Sequence, residues 1–275
     1  VVQQLNEFDL LEIIDPFVGV IAGDDHFTRK VLEQGKNLKV ISRWGIGTDG
    51  IDHTACDELG IKIVNTPNVF TDEVADVTFG YLVCLARGLH LLDQGVRDKQ
   101  WPKIRGISLR DKTLGIIGMG NIGQGVALRA LASGMRVLAY DVSAIPNKFV
   151  SETGVTVSEL DNLLKESQFI SLNCNLTSSN RHILSAPAFQ RMSNGVYIIN
   201  TARGPLIDQD ALIDALETGK VAGAALDVFE TEPLEEFSQL RNFHNCIFGT
   251  HNSSNTTEAV LRVNELAFQN LIDAI

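Results

Sequence analysis

The feature that most constrains this chain is a repeated alternation of short, continuously apolar runs with stretches of helical periodicity. Runs that are apolar at every position, rather than at every second one, predict strands buried on both faces. Such strands occur in parallel sheets covered by helices, and the segments between the runs suit crossover helices. From about residue 112 onward the sequence therefore predicts a doubly wound α/β region, whose apolar runs are LGIIG, RVLAY, FISLN, VYIIN, GAALDVF and CIFGT.

The first part of the chain repeats this pattern on a smaller scale. Its runs FVGVIAG, KVISRWG and IKIVNTP predict three strands, with a helix from about 28 to 35. A longer helix is predicted from about Thr71 to Arg87, where apolar residues recur at helical spacing. Residues 254–275 are predicted to form one amphipathic helix.

A domain junction is predicted within 87–112, where the polar stretch 93–112 interrupts the periodicity. A chain of 275 residues is long enough for two modest cores, because single cores stop growing at roughly 250–300 residues. We therefore expect one domain at 1–87 and a second at 88–255.

Composition argues against several classes of partner and site. The formal net charge of -11 and the absence of any basic run oppose binding to nucleic acid. No apolar run approaches the roughly 18 residues needed to cross a bilayer, so no membrane partner is expected and a cytoplasmic location is the default. No metal is expected, because the cysteines match neither a C-x-x-C pair nor zinc-ligand spacing. We interpret them as buried thiols: Cys56, Cys84, Cys174 and Cys246.

The strongest local motif is TLGIIGMGNIG, a G-x-G-x-x-G between an apolar strand and a helix. Gly118 permits the tight turn, Gly120 lets the backbone approach a diphosphate, and Gly123 allows the helix to press against the strand. Asn121 and Ile122 begin the helix, whose N-terminus attracts an anion. The pattern alone is weak evidence, since ordinary tight turns also produce it, but its position between strand and helix favours a dinucleotide site.

Asp141 supports this interpretation and predicts which dinucleotide is bound. It ends the next apolar run, about 20 residues beyond the glycines, where the ribose 2′-hydroxyl is expected. A carboxylate there accepts a hydrogen bond from the hydroxyl and repels a 2′-phosphate. The sequence therefore predicts NAD rather than NADP, the alternative being a structural turn with a solvated Asp141.

Three C-terminal residues suit the oxidation of a hydroxyl beside a carboxylate. Arg203 follows the run VYIIN and could grip a carboxylate with both arms of its guanidinium. His251 follows CIFGT and is suited to proton transfer, and Glu232 follows GAALDVF, where it would fix the tautomer of the imidazole. Taken singly, each has a plainer interpretation as a surface ion pair, a structural histidine or a loop acid. Their positions after consecutive predicted strands favour a common catalytic site.

These motifs occur in the order found in a known family. From about residue 17 to the end, the chain resembles the NAD-dependent D-isomer-specific 2-hydroxyacid dehydrogenases, particularly the D-3-phosphoglycerate dehydrogenase branch. The resemblance implies two Rossmann-like doubly wound parallel-sheet domains with an active-site cleft between them. It also implies that the C-terminal helix, 256–275, completes the first, substrate-binding domain, and that the chain forms a homodimer through its NAD-binding domains. It rests on VISRWGIGTDGIDH, NTPNVFTDEVAD, LGIIGMGNIG, INTARGPLID, AALDVFETEP and GTHNSSNT.

The resemblance also assigns roles to individual residues. It implies that His251 is the acid/base, Glu232 its partner and Arg203 the group that binds the substrate's carboxylate and carbonyl. The segment SRWGIG resembles the family's substrate loop, where the resemblance implies that backbone amides near Gly45 and Ile46 meet the carboxylate. Arg43 matches a position that can face the substrate phosphate in the phosphoglycerate enzymes of the family. The cofactor residues that the resemblance implies are Cys174, Asn175 and Thr177 at the ribose and diphosphate, Thr201 and Ala202 beside the nicotinamide ring, and Asp227 at the nicotinamide carboxamide.

The chain departs from the family pattern at several places. Members usually begin with a further strand and helix, which we expect this chain to lack. Asn175 stands where proline is common, and Thr250, Asn252 and Ser253 replace the usual Pro-His-x-Gly surroundings. These departures leave the three catalytic residues in place.

The predicted function is hydride transfer between NAD and C2 of a small 2-hydroxy or 2-keto acid, most closely as in D-3-phosphoglycerate dehydrogenase. Glyoxylate or hydroxypyruvate reduction and D-lactate-type oxidation are the alternatives. A non-enzymatic NADH-sensing corepressor is a further hypothesis, disfavoured by the absence of a basic patch or disordered tail. Formate oxidation is disfavoured because the predicted partner of the histidine is Glu232, whereas the formate enzymes of this scaffold pair their histidine with a glutamine.

Overall fold

The computed structural model describes residues 5–275, which form two compact α/β units. The first comprises the residues up to Phe70 together with Asn255–Ile275, and the second comprises Thr71–Ser254. The helices are α1 (Glu7–Ile13), α2 (Arg29–Gln34), α3 (His53–Leu59), α4 (Thr71–Arg87), α5 (Leu89–Arg97), α6 (Asn121–Ala132), α7 (Asn147–Thr153), α8 (Leu160–Glu166), α9 (Ala186–Arg191), α10 (Gln209–Glu217) and α11 (Thr257–Ala274). The strands are β1 (Gly19–Ala22), β2 (Val40–Arg43), β3 (Lys62–Val64), β4 (Thr113–Ile117), β5 (Arg136–Tyr140), β6 (Thr156–Val157), β7 (Phe169–Leu172), β8 (Val196–Asn200), β9 (Val221–Leu226) and β10 (Cys246–Phe248).

The first unit is a three-stranded parallel sheet, in the order β1-β2-β3, with helices on both faces. Side chains of β2 alternate between the faces, as strand geometry requires. Ile41 joins the core formed with α1, α2 and α3, whereas Ser42 donates a hydrogen bond to the Ala267 carbonyl of α11 (2.7 Å). All three strands and the helix predicted for this region are present, and α11 packs on the sheet where the family resemblance places it.

The second unit is a seven-stranded parallel sheet in the order β10-β9-β8-β7-β4-β5-β6. Neighbouring residues of one strand enter opposite cores: Ile198 packs among α8, α9 and α10, and Ile199 packs among α4 and α6. This two-sided burial is why the strands are apolar at every position. The chain leaves β4 in one direction for β5 and returns to β7 on the other side of β4, and open α/β sheets bind ligands at such a reversal.

The boundary between the units differs from the predicted one. The helix α4, expected in the first domain, packs on α6 in the second unit, where Ala75 lies against Gly125. Arg129 of α6 also forms an ion pair with Asp76 of α4 (2.6 Å). The amphipathic pattern of α4 predicted a buried face, but that pattern is the same whichever unit buries it. The two-residue strand β6 was not predicted, because it is too short to show periodicity.

The cysteines are less deeply buried than the sequence predicted. All four cysteines are free, but only Cys56 and Cys246 are buried, while Cys84 and Cys174 are half-buried, so the expectation of four buried thiols holds for two.

Among the helices of residues 5–275, none is by itself long and apolar enough to cross a membrane. The pair α4 and α5, bent by 68°, reaches that length and composition only when taken together.

Candidate active site

Three neighbouring strands bring the predicted catalytic residues to one edge of the second sheet. Asn200 at the end of β8 pairs with Leu226 at the end of β9, which pairs with Phe248 at the end of β10. Because the strands are parallel, the loops that follow them leave from the same carboxyl edge. Arg203, Glu232 and His251 lie on these three loops in turn.

His251 and Glu232 form a hydrogen-bonded pair. The imidazole Nδ1 lies 2.8 Å from Glu232 Oε2, and the other carboxylate oxygen accepts the Phe229 N–H (2.9 Å). Both side chains are about one-third exposed, at 30% and 31%, so solutes can reach the pair. An ionised carboxylate only accepts hydrogen bonds, so the proton on the neutral ring is on Nδ1 and the lone pair is on Nε2. This is the arrangement of an oriented general acid/base.

The backbone of the histidine loop is anchored on Asp227. His251 has a positive φ of 54°, which is uncommon for a residue other than glycine. Its N–H donates to the Asp227 carbonyl (2.7 Å), and the N–H groups of Asn252 and Ser253 donate to the Asp227 carboxylate (3.2 and 2.8 Å). Asp227 is only 2% exposed. Sequence reasoning assigned Asp227 to the cofactor and missed this anchoring role, which depends on backbone groups that no motif records.

The turn that carries Arg203 is held by its own side chains and by the neighbouring loop. Asn200 donates to the Arg203 carbonyl (2.9 Å) and accepts from the Ala202 N–H (3.0 Å). Gly204 leaves no room for a side chain, because a Cβ there would lie 1.8 Å from the Phe229 carbonyl oxygen. The Arg203 turn therefore packs directly on the backbone that leads to Glu232.

The glycine loop follows β4 at the reversal of strand order. Gly118 has a φ of 99°, and a Cβ there would lie 2.5 Å from the Cys174 nitrogen. At Gly123 a Cβ would lie 2.0 Å from the Gly118 carbonyl oxygen, so the helix and the strand touch through this glycine. At Gly120 a Cβ would meet nothing within 4 Å, which leaves its backbone open to a ligand. The geometry at Gly118 and Gly123 agrees with the turn and packing roles expected of the motif, and the approach of a diphosphate to Gly120 stays a prediction.

The groups around this loop fit a dinucleotide with a free ribose 2′-hydroxyl. The first intrahelical bond of α6 runs from the Gln124 N–H to the Gly120 carbonyl, so the N-terminal end of this helix, with its positive dipole, suits an anion. Asp141 accepts the N–H groups of Met119 (2.6 Å) and Ser143 (2.8 Å), which fixes its carboxylate beside the loop. A carboxylate has further lone pairs with which to accept a ribose hydroxyl.

The remaining predicted cofactor residues follow β7 and β8. Asn180 organises the loop after β7 by donating to the Asn175 carbonyl (2.8 Å) and accepting the Thr177 N–H (2.8 Å). Burial raises the pKa of the Cys174 thiol in this loop to about 11. After β8, the Thr201 hydroxyl lies 2.7 Å from the hydroxyl of Thr78. The cofactor roles of these residues remain predictions.

The comparison with known families decides the identity of this unit. Residues 79–253 match the family model described as D-isomer specific 2-hydroxyacid dehydrogenase, NAD binding domain. The chain belongs to the D-isomer specific 2-hydroxyacid dehydrogenases. It is therefore an oxidoreductase, its cofactor is NAD, and its substrate is a small 2-hydroxy or 2-keto acid, as the sequence analysis predicted.

Several relatives of this dehydrogenase act on different acids. A hydroxypyruvate reductase from Thermotoga maritima is 42% identical over 266 residues, covering 95% of this chain and 86% of that protein. A D-3-phosphoglycerate dehydrogenase from Methanocaldococcus jannaschii is 40% identical, but this chain spans 49% of its length. The crystal structure of a glyoxylate reductase from Paecilomyes thermophila has a TM-score of 0.91 and 33% identity, covering 98% of this chain and 86% of that one.

In the first unit of the dehydrogenase, Arg43 is turned inward, unlike the expected phosphate ligand. Its side chain is 8% exposed and forms an ion pair with Asp24. Its guanidinium also donates to the carbonyls of Gly47 (2.8 Å) and Trp44 (2.7 Å). Arg43 thus holds the backbone of the loop 43–48 in place through hydrogen bonds, because the N–H donors of a buried guanidinium need acceptors close by.

The loop that Arg43 shapes presents backbone amides. The Gly45 N–H, expected at the substrate carboxylate, donates to the Thr66 hydroxyl (2.9 Å), and the Ile46 carbonyl accepts from Asn65 (2.8 Å). Within the part of the chain that the structure describes, the N–H groups of Ile46, Gly47 and Thr48 have no acceptor. The available amides therefore begin at Ile46.

Proposed function

We propose that this dehydrogenase interconverts a small, unphosphorylated D-2-hydroxy acid and its 2-keto acid, with glyoxylate and hydroxypyruvate as the preferred keto acids. The reaction is supported chiefly by the Glu232–His251 pair at the carboxyl edge of the NAD-binding sheet. The absence of a phosphate on the substrate is supported by the inward-turned Arg43. The sequence analysis favoured a phosphoglycerate enzyme and gave this substrate class as an alternative, so the choice between the two is a proposal.

The side chains of the site divide the remaining work of the reaction. NADH, when bound, supplies hydride to C2 of the keto acid. His251 protonates the C2 oxygen from Nε2 in reduction and accepts that proton in oxidation, while Glu232 holds Nδ1 and stabilises the imidazolium. Arg203 binds the substrate carboxylate and carbonyl, where a planar cation offsets the developing charge.

We assign cofactor binding to the second unit and substrate binding to the first. The second unit contains the glycine loop, Asp141 and the predicted catalytic residues. In the first unit, the amides of Ile46, Gly47 and Thr48 offer donors to a carboxylate. The substrate domain is then 5–70 with 255–275, and the cofactor domain is 71–254.

Steady-state kinetics with NADH and a panel of 2-keto acids test this function. We expect glyoxylate or hydroxypyruvate to give a higher kcat/KM than 3-phosphohydroxypyruvate, and His251→Asn to lower kcat by a factor on the order of 10² with NADH affinity nearly unchanged. His26→Asn, a substitution of an exposed histidine in the first unit, is the matched control and should leave kcat unchanged. Retained turnover in His251→Asn would contradict the catalytic assignment, and preference for the phosphorylated acid would contradict the substrate class.

We further propose a homodimer formed through the second unit. The amphipathic helix α5 buries only Gly95, and Trp101 in the segment that follows is 78% exposed, which leaves an apolar surface without a partner in one chain. Sedimentation equilibrium should give twice the chain mass of 30.0 kDa, and Trp101→Lys should give the single mass. Phe237→Lys, at another exposed aromatic residue, should leave the dimer intact. A monomeric unmodified chain would rule the dimer out.

We place the enzyme in the cytoplasm because of its thiols. All four cysteines are free. Reducing compartments keep thiols unpaired, whereas secreted proteins commonly oxidise them to disulfides.

A further inference from the structure

Glu230 lies two residues before Glu232 and links three segments of the second unit, although no part of the reaction described above uses it. Its Oε1 accepts a hydrogen bond from His182 Nε2 (2.5 Å) and forms an ion pair with Arg181 (3.4 Å). Its Oε2 accepts the Gln209 N–H at the start of α10 (3.4 Å). The side chains of His182 and Glu230 are 34% and 24% exposed, so most of each is covered by protein.

His182 ends the loop 174–182, here called the cofactor-side loop because it contains the predicted cofactor residues Cys174, Asn175 and Thr177. The end of this loop is hydrogen-bonded to the segment that follows Arg203. Its backbone N–H donates to the Pro205 carbonyl (2.8 Å), and the Leu184 N–H donates to the Leu206 carbonyl (3.1 Å). The end of the cofactor-side loop therefore lies alongside the residues that directly follow Arg203.

Glu230 is itself part of the turn that holds the catalytic carboxylate. The Phe229 N–H donates to Glu232 Oε1 (2.9 Å), so this turn sets the position of Glu232. The carbonyl group of Phe229 packs against Gly204, which directly follows Arg203. The His182–Glu230 hydrogen bond thus joins the cofactor-side loop, the Arg203 turn and the Glu232 turn at one point.

We propose that His182 and Glu230 are positioning residues that hold Glu232 and Arg203 in register with the cofactor-side loop. The inference rests on the proposed function, because it takes Arg203, Glu232 and His251 as the catalytic groups. Neither residue touches the reacting atoms in this proposal. Displacement of catalytic groups by about 1 Å slows a reaction by a factor on the order of 10², whereas a partly exposed ion pair contributes little to folding. Loss of the pair should therefore slow the chemical step much more than it destabilises the fold.

The test measures kcat, the Kd for NADH and the deuterium isotope effect on kcat with NADH labelled at C4. His182→Phe removes the donor and keeps a ring, and Glu230→Gln removes the charge and keeps the size. We expect each to lower kcat by about tenfold, to change the Kd for NADH by less than about twofold, and to raise the isotope effect. The losses in the double variant should be less than additive, because both substitutions weaken the charge-assisted hydrogen bond between the two side chains, and only Glu230→Gln also removes the ion pair with Arg181. His182→Gln, which restores a donor of similar reach, should recover most of the lost rate.

The matched control is Glu166→Gln, which removes the same charge from an ion pair with Arg136 in the same unit. It should leave kcat and the isotope effect unchanged. Additive losses in the double variant, an unchanged kcat in folded His182→Phe, or a rate loss without a larger isotope effect would each overturn the inference. His251→Asn separates the two proposals: if it lowers kcat by a factor on the order of 10² while folded His182→Phe leaves kcat unchanged, only the positioning role fails. If His251→Asn retains turnover, the proposed function fails.

Discussion

At the scale of single residues, we predict that the fixed charge of Asp141 selects NAD over NADP. The backbone N–H groups of Met119 and Ser143 hold its carboxylate beside the glycine loop, so it cannot move away from an approaching phosphate. Like charges at short range repel strongly where water is partly excluded. We predict that Asp141→Asn weakens NADH binding by about tenfold and reduces the preference for NADH over NADPH, because a charge-assisted hydrogen bond is lost and a repulsion removed.

Fluorescence titration with NADH and NADPH measures both affinities. Asp161→Asn serves as the control, since Asp161 is an exposed acid that pairs with Arg191 in the same unit. It should leave both affinities as they are. An unchanged ratio of the two affinities in Asp141→Asn would show that selection arises elsewhere.

At the scale of elements, two glycines of the loop before α6 are expected to serve different purposes, one for helix–strand packing and one for cofactor binding. Gly123 is needed for packing, because a Cβ there would meet the Gly118 carbonyl, whereas Gly120 faces open space. We predict that Gly123→Ala lowers the free energy of unfolding by about 1–3 kcal/mol and also weakens NADH binding. Gly120→Ala should weaken NADH binding while the free energy of unfolding stays the same, because its Cβ occupies only the space that the diphosphate needs.

Urea unfolding and NADH titration of both variants check these outcomes. Gly80→Ala, in the interior of α4 with nothing near its Cβ, is the control. It should leave NADH binding intact and raise stability by up to about 1 kcal/mol, since alanine favours the helix. Equal losses of stability in Gly120→Ala and Gly123→Ala would contradict the division of roles.

At the scale of the whole molecule, we expect three buried or half-buried thiols to make the stability of the protein depend on pH in the alkaline range. Burial raises the pKa of Cys56, Cys174 and Cys246 from the ordinary value of 9.0 to about 11. Between these values the unfolded chain has released protons that the folded chain still holds, so stability falls as pH rises. We predict that the urea midpoint decreases from about pH 9 upward and that Cys246→Ala makes this decrease less steep.

The quantity to compare is the change of the urea midpoint with pH and not the midpoint at one pH, because Cys246→Ala also removes packing at every pH. Cys84→Ala is the control, since the pKa of that half-buried thiol is raised less by burial. It should reduce the slope less than Cys246→Ala does. Identical slopes for the unmodified chain and Cys246→Ala would show that this thiol does not carry the dependence.

Much of the fold could be predicted, because its main physical cause is visible in the sequence. Strands buried on both faces must be apolar throughout, which is why all six runs from 112 onward contain strands of the second sheet. The predicted bounds of α4 agree with the structure because its apolar residues recur every three or four positions. The unit to which α4 belongs was predicted differently, because periodicity identifies a buried face but not the surface that covers it.

The candidate site divides in the same way. The order of Arg203, Glu232 and His251 after consecutive strands was visible, because parallel strands end at one edge. The inward turn of Arg43, the anchoring of the histidine loop on Asp227 and the link between His182 and Glu230 were not visible. Each depends on which backbone and side-chain polar groups come within hydrogen-bonding distance, and residues such as His182 and Glu230 are 48 positions apart in sequence.

The sequence by itself determined the parallel α/β architecture, the dinucleotide loop and the family, because hydrophobic periodicity and glycine spacing are local properties of the chain. Only the tertiary structure decided where the units divide, which arginine is turned inward and what holds the His251–Glu232 pair. Those outcomes depend on the competition of each polar group for hydrogen-bond partners, and the partners come together only when distant segments pack.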